Sequence, residues 1–342
     1  MEKIKEILNA LIEATSPSGY ELLGKDALEK IVGNTFDKVY SDNLGTVVLL
    51  KKSKKENAKK LLVDAHFDTV GLMVSGVYEG GFLGVCSLGG LDTAVLPSGE
   101  VTVFGKEQIY GIITSTPPHL KTGNSAAPKL KELYIDTGLT KEEAQEKIPL
   151  GSVVTFRNKV EYINGDYVIS AGLDDKSCLC ALLYAAQALD PEKMEFDLYI
   201  TASAQEETGK CGPSRAAYDI CPDLAIVTDV NFARTGKDEE FEAIECKKGA
   251  SIDLSSICTR KTTKSIMKHL TENKIPYQVC CEPRATSTNA DSLSISSIGF
   301  PTVLMSIPLK SMHTPSEIVN LRDIKSLADI VASIACNASI ID

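Results

Sequence analysis

The runs "KLLVDAHF", "FDLYITASA", "DLAIVTD" and "PTVLMSI" are mostly apolar, and segments of helical period separate them. Strands of that kind are covered on both faces, so the chain is expected to build an α/β fold: a largely parallel or mixed sheet with helices on either side. The helical segments suit this layout. Ile4, Ile7, Leu8, Leu11 and Ile12 recur at helical spacing until "SPSG", where Pro17 and Gly19 break the pattern. A second helical segment runs from Tyr20 to Ile31, and "SCLCALLYAAQAL", "GPSRAAYDI", "TTKSIMKHLTENK" and "LRDIKSLADIVASIAC" supply the later ones.

The texture changes in the middle. Ten glycines stand between positions 71 and 111, "EVTVFG" and "IYGIIT" read as short strands, and no helix is expected before "TKEEAQEK" at 140–147. That pattern predicts a small inserted β-barrel. A chain of 342 residues more naturally divides into two domains than one. The division expected is a main domain of residues 1–70 and 160–342 around an insert at 71–159.

Charge narrows the function. A formal charge of −10, with no Lys/Arg-rich stripe, argues against nucleic acid. The basic run "KKSKKENAKK" at 51–60 is read as a solvated hairpin connection. No apolar stretch is long enough to span a membrane, and the amphipathic start does not resemble a leader, so a cytoplasmic protein is expected. The ten cysteines show no framework spacing and read as reduced thiols.

The candidate chemistry sits where the strand runs stop. His66 and Asp68, Asp174 and Asp175, Glu206 and Glu207, Asp229, and His313 are expected at five strand ends along one edge, where ligands bind in open α/β sheets. Singly, each has an ordinary explanation: Asp174 and Asp175 as helix caps, His66 as a half-buried histidine, "HTPSE" at 313–317 as a helix start. Together they form an anionic cluster with little nearby cation, which bound metal would resolve. Imidazole and carboxylate without thiolate favour Zn²⁺, Co²⁺ or Mn²⁺, and the donors are too many for one ion. His119 and His269 are assigned to a loop and to an exposed helix position.

At this point the sequence resembles the tetrahedral aminopeptidases, a family of co-catalytic dimetal exopeptidases that includes glutamyl and deblocking aminopeptidases and proteins labelled cellulase-like. The resemblance covers nearly the whole chain, in order: "SPSGYE", "SDNLGTVV", "AHFDTVGLMV", "SLGGLD", "IYGIITSTPPH", "LYIDTGLTKEEA", "GLDDKSC", "AQEETGKCG", "IVTDV", "TSTNADS" and "MHTPSEIVNL". It implies that Asp174 bridges two metals, that His66 and Asp229 complete one site, and that Glu207 and His313 complete the other. It also implies a cis bond before Asp175, Asp68 as the acceptor of the His66 imidazole N–H, and Glu206 as general base. The insert would serve assembly into a dodecameric shell, and the substrates would be peptides with a free N-terminus. Thr69, Lys176, Cys211 and Ala250 depart from the family's usual residues. Two other classes stand beside this reading: a glycoside hydrolase, suggested by paired carboxylates, and a non-catalytic shell or binding protein. Adjacent carboxylates do not flank a sugar bond across the ~5–9.5 Å such hydrolysis uses.

Overall fold

The structure, a computed structural model, describes residues 1–115, 127–235 and 243–341. The chain opens with α1 (Glu2–Glu13) and α2 (Lys25–Val32), then lays down β1 (Lys38–Ser41), β2 (Val47–Lys51) and β3 (Lys59–His66). It leaves for β4 (Gly71–Val77), β5 (Leu83–Leu88), β6 (Glu100–Phe104), β7 (Gln108–Thr114), β8 (Tyr134–Asp136), α3 (Lys141–Lys147) and β9 (Val153–Phe156). After β10 (Glu161–Ile163) and β11 (Tyr167–Ser170) come α4 (Leu173–Ala188), β12 (Phe196–Ser203), α5 (Gly212–Ile220) and β13 (Leu224–Phe232). The remainder is β14 (Ser251–Ser255), α6 (Arg260–Glu272), β15 (Gln278–Glu282), α7 (Ala290–Leu293), β16 (Thr302–Leu309), β17 (Glu317–Asn320) and α8 (Leu321–Ala335).

The main sheet has the order β1-β2-β12-β3-β13-β16-β14-β15. Its four central strands, the apolar runs of the sequence, are mutually parallel, and antiparallel pairings flank them on each side. Helices cover both faces, as strands without a polar side require. On one face α1, α4, α6 and α8 pack through Ile4, Leu8, Leu179, Ile266 and Ile330 against Leu61, Val63 and Ile226. On the other, Ala217 and Ile220 of α5 and Leu293 of α7 meet Leu62, Val227 and Leu304. Each of these Leu, Ile and Val side chains contributes roughly 1.5–3 kcal/mol by leaving water.

The segment at 51–60 is not a hairpin connection. Strand β12 lies between β2 and β3, antiparallel to one and parallel to the other, because β3 pairs with the apolar run that returns after α4.

Strands β4-β5-β8-β7-β6-β9 close into a barrel. Its core is separate, built on Leu72, Val74, Leu83, Val101, Ile135 and Val154. Thr140 caps α3 there, its hydroxyl accepting the Glu143 N–H while the Glu143 carboxylate accepts the Thr140 N–H at 2.9 Å. Strands β10, β11 and β17 form a third, small sheet.

Candidate metal centre and active site

The candidate residues converge at the carboxyl ends of the parallel strands, by routes that differ from the expected five strand ends. His66 is the last residue of β3, Glu206 and Glu207 lie just beyond β12, and His313 stands in the loop after β16 with φ of 58°. Asp229 lies inside β13, which continues to Phe232. Asp174 and Asp175 do not come from the main sheet: they form the start of α4, after a strand of the small sheet. That helix packs under β3 and β13, and its first turn brings both carboxylates to the sheet edge. The peptide between them is cis, and both depart from helical backbone angles.

His66 Nε2 lies 2.9 Å from Asp174 Oδ1 and 3.9 Å from Asp229 Oδ1. His313 Nε2 lies 3.3 Å from Asp174 Oδ2 and 3.3 Å from Glu207 Oε2. One carboxylate therefore turns an oxygen to each of two imidazole groups. Donor atoms come within 4.8 Å of one another in the sets His66–Asp174–Glu207 and His66–Asp175–Asp229.

The electrostatics of this cluster are unbalanced. Burial pushes the Asp175 and Asp229 carboxyls well above their ordinary range, and their anionic neighbours add to it. Burial also raises Glu206 to about 7; His66 opposes this and Glu207 reinforces it. Burial would depress His313, yet Asp174 and Glu207 lift it to about 11. Among the described residues no Lys or Arg pairs with any of these carboxylates, and Glu206 Oε1 and Glu207 Oε1 are buried without a hydrogen-bond partner. Buried anionic oxygens beside imidazole nitrogens, with no thiolate among them, fit divalent metal ions.

Asp68 does meet the His66 imidazole N–H, but through its main chain and not its carboxylate. Its main-chain carbonyl, 2.8 Å from His66 Nδ1, is what accepts the imidazole, fixing that nitrogen as the protonated one and leaving Nε2 for the cluster. Its carboxylate, with Oδ1 3.8 Å from Nδ1, turns to the backbone N–H groups of Glu206 and Glu207. The reason is local: a strand end exposes its own carbonyl next to the preceding side chain, while the Asp68 side chain reaches the turn after β12.

Two contributors escaped the sequence reading. Glu317, buried on β17, accepts the backbone N–H groups of Asp174 at 3.2 Å and His313 at 2.8 Å. Glu21 of "SPSGYE" accepts the N–H of Gln205 at 2.9 Å, beside Glu206. Their signal was a carboxylate within segments that otherwise read as helix starts. The barrel also reaches the site. Gly89 has φ of 82°, and a Cβ there would lie 3.2 Å from the Glu207 Cβ, so only glycine lets this loop lie against Glu207. Lys176 is buried, donating to the Ala14 carbonyl at 2.6 Å, outside the cluster. His269 is half-buried rather than exposed, bonded to Ser333 at 2.8 Å, and His119 lies outside the described residues.

A cavity of about 420 Å³ opens over His66, Asp174, Glu206, Glu207, Asp229 and His313, large enough for an amino-acid side chain and the adjoining peptide. No described helix is long and apolar enough to cross a membrane.

The chain is 32% identical over 326 residues to the lysyl aminopeptidase of Pyrococcus furiosus, covering 93% of each. Its fold is similar to an aminopeptidase from the archaeon Desulfurococcus kamchatkensis, with a TM-score of 0.92, 27% identity and coverage of 100% of this chain and 97% of that one. It is also similar to the Pyrococcus horikoshii TET1 peptidase, described as assembling into a tetrahedron or a large octahedral shell, with a TM-score of 0.86, 26% identity and coverage of 97% and 99%. The M42 glutamyl aminopeptidase family matches residues 45–330. The chain belongs to that family and is a metal-dependent aminopeptidase.

Proposed function

We propose that this aminopeptidase works at a two-metal centre, with Asp174 bridging, His66 and Asp229 holding one ion, and Glu207 and His313 the other. The observation that carries the reading is Asp174, whose Oδ1 faces His66 and whose Oδ2 faces His313. The donor chemistry suits Zn²⁺ or Co²⁺, with Mn²⁺ third. Ions held there would polarise the scissile carbonyl and make water acidic enough to attack at neutral pH.

Glu206 is the general base. It takes a proton from the attacking water as the water oxygen bonds to the carbonyl carbon, and returns it to the departing amine nitrogen as the C–N bond breaks. Asp68 holds the turn that aims Glu206. The substrates are peptides with a free N-terminus. The domains are 1–70 with 160–342 for catalysis and 71–159 for assembly into a homo-oligomeric, dodecameric shell, a reading supported by the assembling relative. Ten unpaired cysteines support work in the reducing cytoplasm.

The test is release of an N-terminal residue from a peptide before and after chelation, with Zn²⁺, Co²⁺ and Mn²⁺ added back separately. Activity that survives a chelator, or chelator-resistant hydrolysis of cello-oligosaccharides, overturns the reading.

A further inference from the structure

We propose a halide-binding site at the seam between the barrel and the start of α4, separate from the metal centre, with chloride as its ligand.

Lys176 marks the place. It is 2% exposed, its Nζ donates to the Ala14 carbonyl at 2.6 Å, and it lies 5.5 Å from the centre of the Phe67 ring. An ammonium carries three N–H donors, and the carbonyl takes one of them. Among the described residues Lys176 forms no ion pair; Asp68 acts on it only from beyond contact. A cation taken out of water is stable when a counter-charge meets it.

A cavity of about 20 Å³ opens against this side chain, lined also by Thr15, Thr69, Thr155, Asn158 and Gly172. No carboxylate lines it, in contrast to the cavity over the metal centre. Its walls offer donors instead. Among the described residues Thr15 and Thr155 make no side-chain hydrogen bond, and Asn158 commits one amide N–H to the Ile12 carbonyl and keeps the other.

Size then selects the ligand. The space holds one water-sized particle, so phosphate, sulfate and carboxylates are too large. Water would serve the hydroxyls but would leave the ammonium's charge unopposed, whereas a monatomic anion answers both. Thr155 lies on β9 with Asn158 just beyond it, Thr69 stands at the crossing into the barrel, Thr15 follows α1, and Lys176 belongs to α4. Chloride would join these segments around the turn that carries Asp174. None of the five residues proposed to hold metal lines this cavity, so the proposal stands apart from the two-metal reading.

The direct test soaks crystals of the metal-loaded protein in bromide and collects diffraction at the bromine edge. An anomalous peak is expected within hydrogen-bond reach of Lys176 Nζ, and Lys176→Met should abolish it. In solution, the protein is melted in chloride and in gluconate at equal ionic strength. A ligand that binds only the folded chain raises Tm with its concentration, so chloride should raise it by a few degrees. The rise should shrink in Thr155→Val, which keeps the ammonium and serves if Lys176→Met fails to fold. Bromide found only at the metal centre, or a peak that Lys176→Met retains, overturns the proposal. Equal melting in the two salts, or a chloride effect that Thr155→Val leaves intact, overturns it as well.

Discussion

The carboxylate of Asp68 accepts the backbone N–H of Glu206 at 2.9 Å, and its second oxygen accepts that of Glu207 at 3.1 Å. One buried side chain thus fixes the turn that carries two adjacent carboxylates. Asp68→Asn keeps the shape and the main-chain carbonyl that meets His66, but leaves one N–H facing an amide nitrogen. Orphaning a buried donor costs roughly 1–3 kcal/mol. The variant should melt lower and lose kcat while retaining its metal. Loss of metal in parallel with kcat would show that Asp68 acts on the ligands instead of the base.

Glu206→Gln removes the proton carrier without changing volume. A general base contributes about 10²–10⁴-fold, so kcat should fall by that order with little change in KM. Metal content, read by atomic absorption, should match the parent protein. A variant with near-normal turnover would remove Glu206 from the mechanism.

The fold class was legible because the parallel strands are apolar on both sides, and "KLLVDAHF" and "DLAIVTD" leave no face for water. The site was legible in part: His66, Glu206 and Glu207 follow apolar strands as expected, whereas Asp174 and Asp175 open α4 and Asp229 lies inside β13. Strand pairing was less so: nothing within residues 51–60 announces that β12, far along the chain, separates β2 from β3. The short, half-polar strands "SIDLS" and "QVCCE" passed unread, and they carry Asp253 and Glu282, which line the cavity over the metal centre. Glu317 looked like part of a helix start, because its role depends on β17 pairing with β11 and turning it toward Asp174.

Glu317 gives a prediction about metal affinity. Its two oxygens each accept the backbone N–H of one residue proposed to hold metal, Asp174 at 3.2 Å and His313 at 2.8 Å. Glu317→Gln replaces one acceptor with a donor, so one ligand loses its orientation. Supporting groups of this kind are worth roughly 10–100-fold in metal affinity. Competition with a chromogenic chelator should show that loss, and saturating metal should recover much of the activity. Unaltered affinity would make Glu317 a packing residue.

Glu21 gives a prediction about pH. It is buried, and both its backbone donors, Gly19 and Gln205, point at Oε1, which leaves Oε2 free to carry a proton. Burial first, and then the charge of Asp68, raises its carboxyl from 4.5 to about 7. Between those values the folded chain holds a proton that the unfolded chain has released. Stability from this group is therefore full below pH 4.5 and is lost as pH rises through about 7. Glu21→Gln keeps an acceptor for both donors and does not titrate. In urea unfolding of the metal-free protein, the variant should gain roughly 2–3 kcal/mol over the parent between pH 5 and pH 8. A difference that stays flat, or that grows in the parent's favour, would mean Glu21 is ionised in the folded protein and that its two N–H donors outweigh its burial.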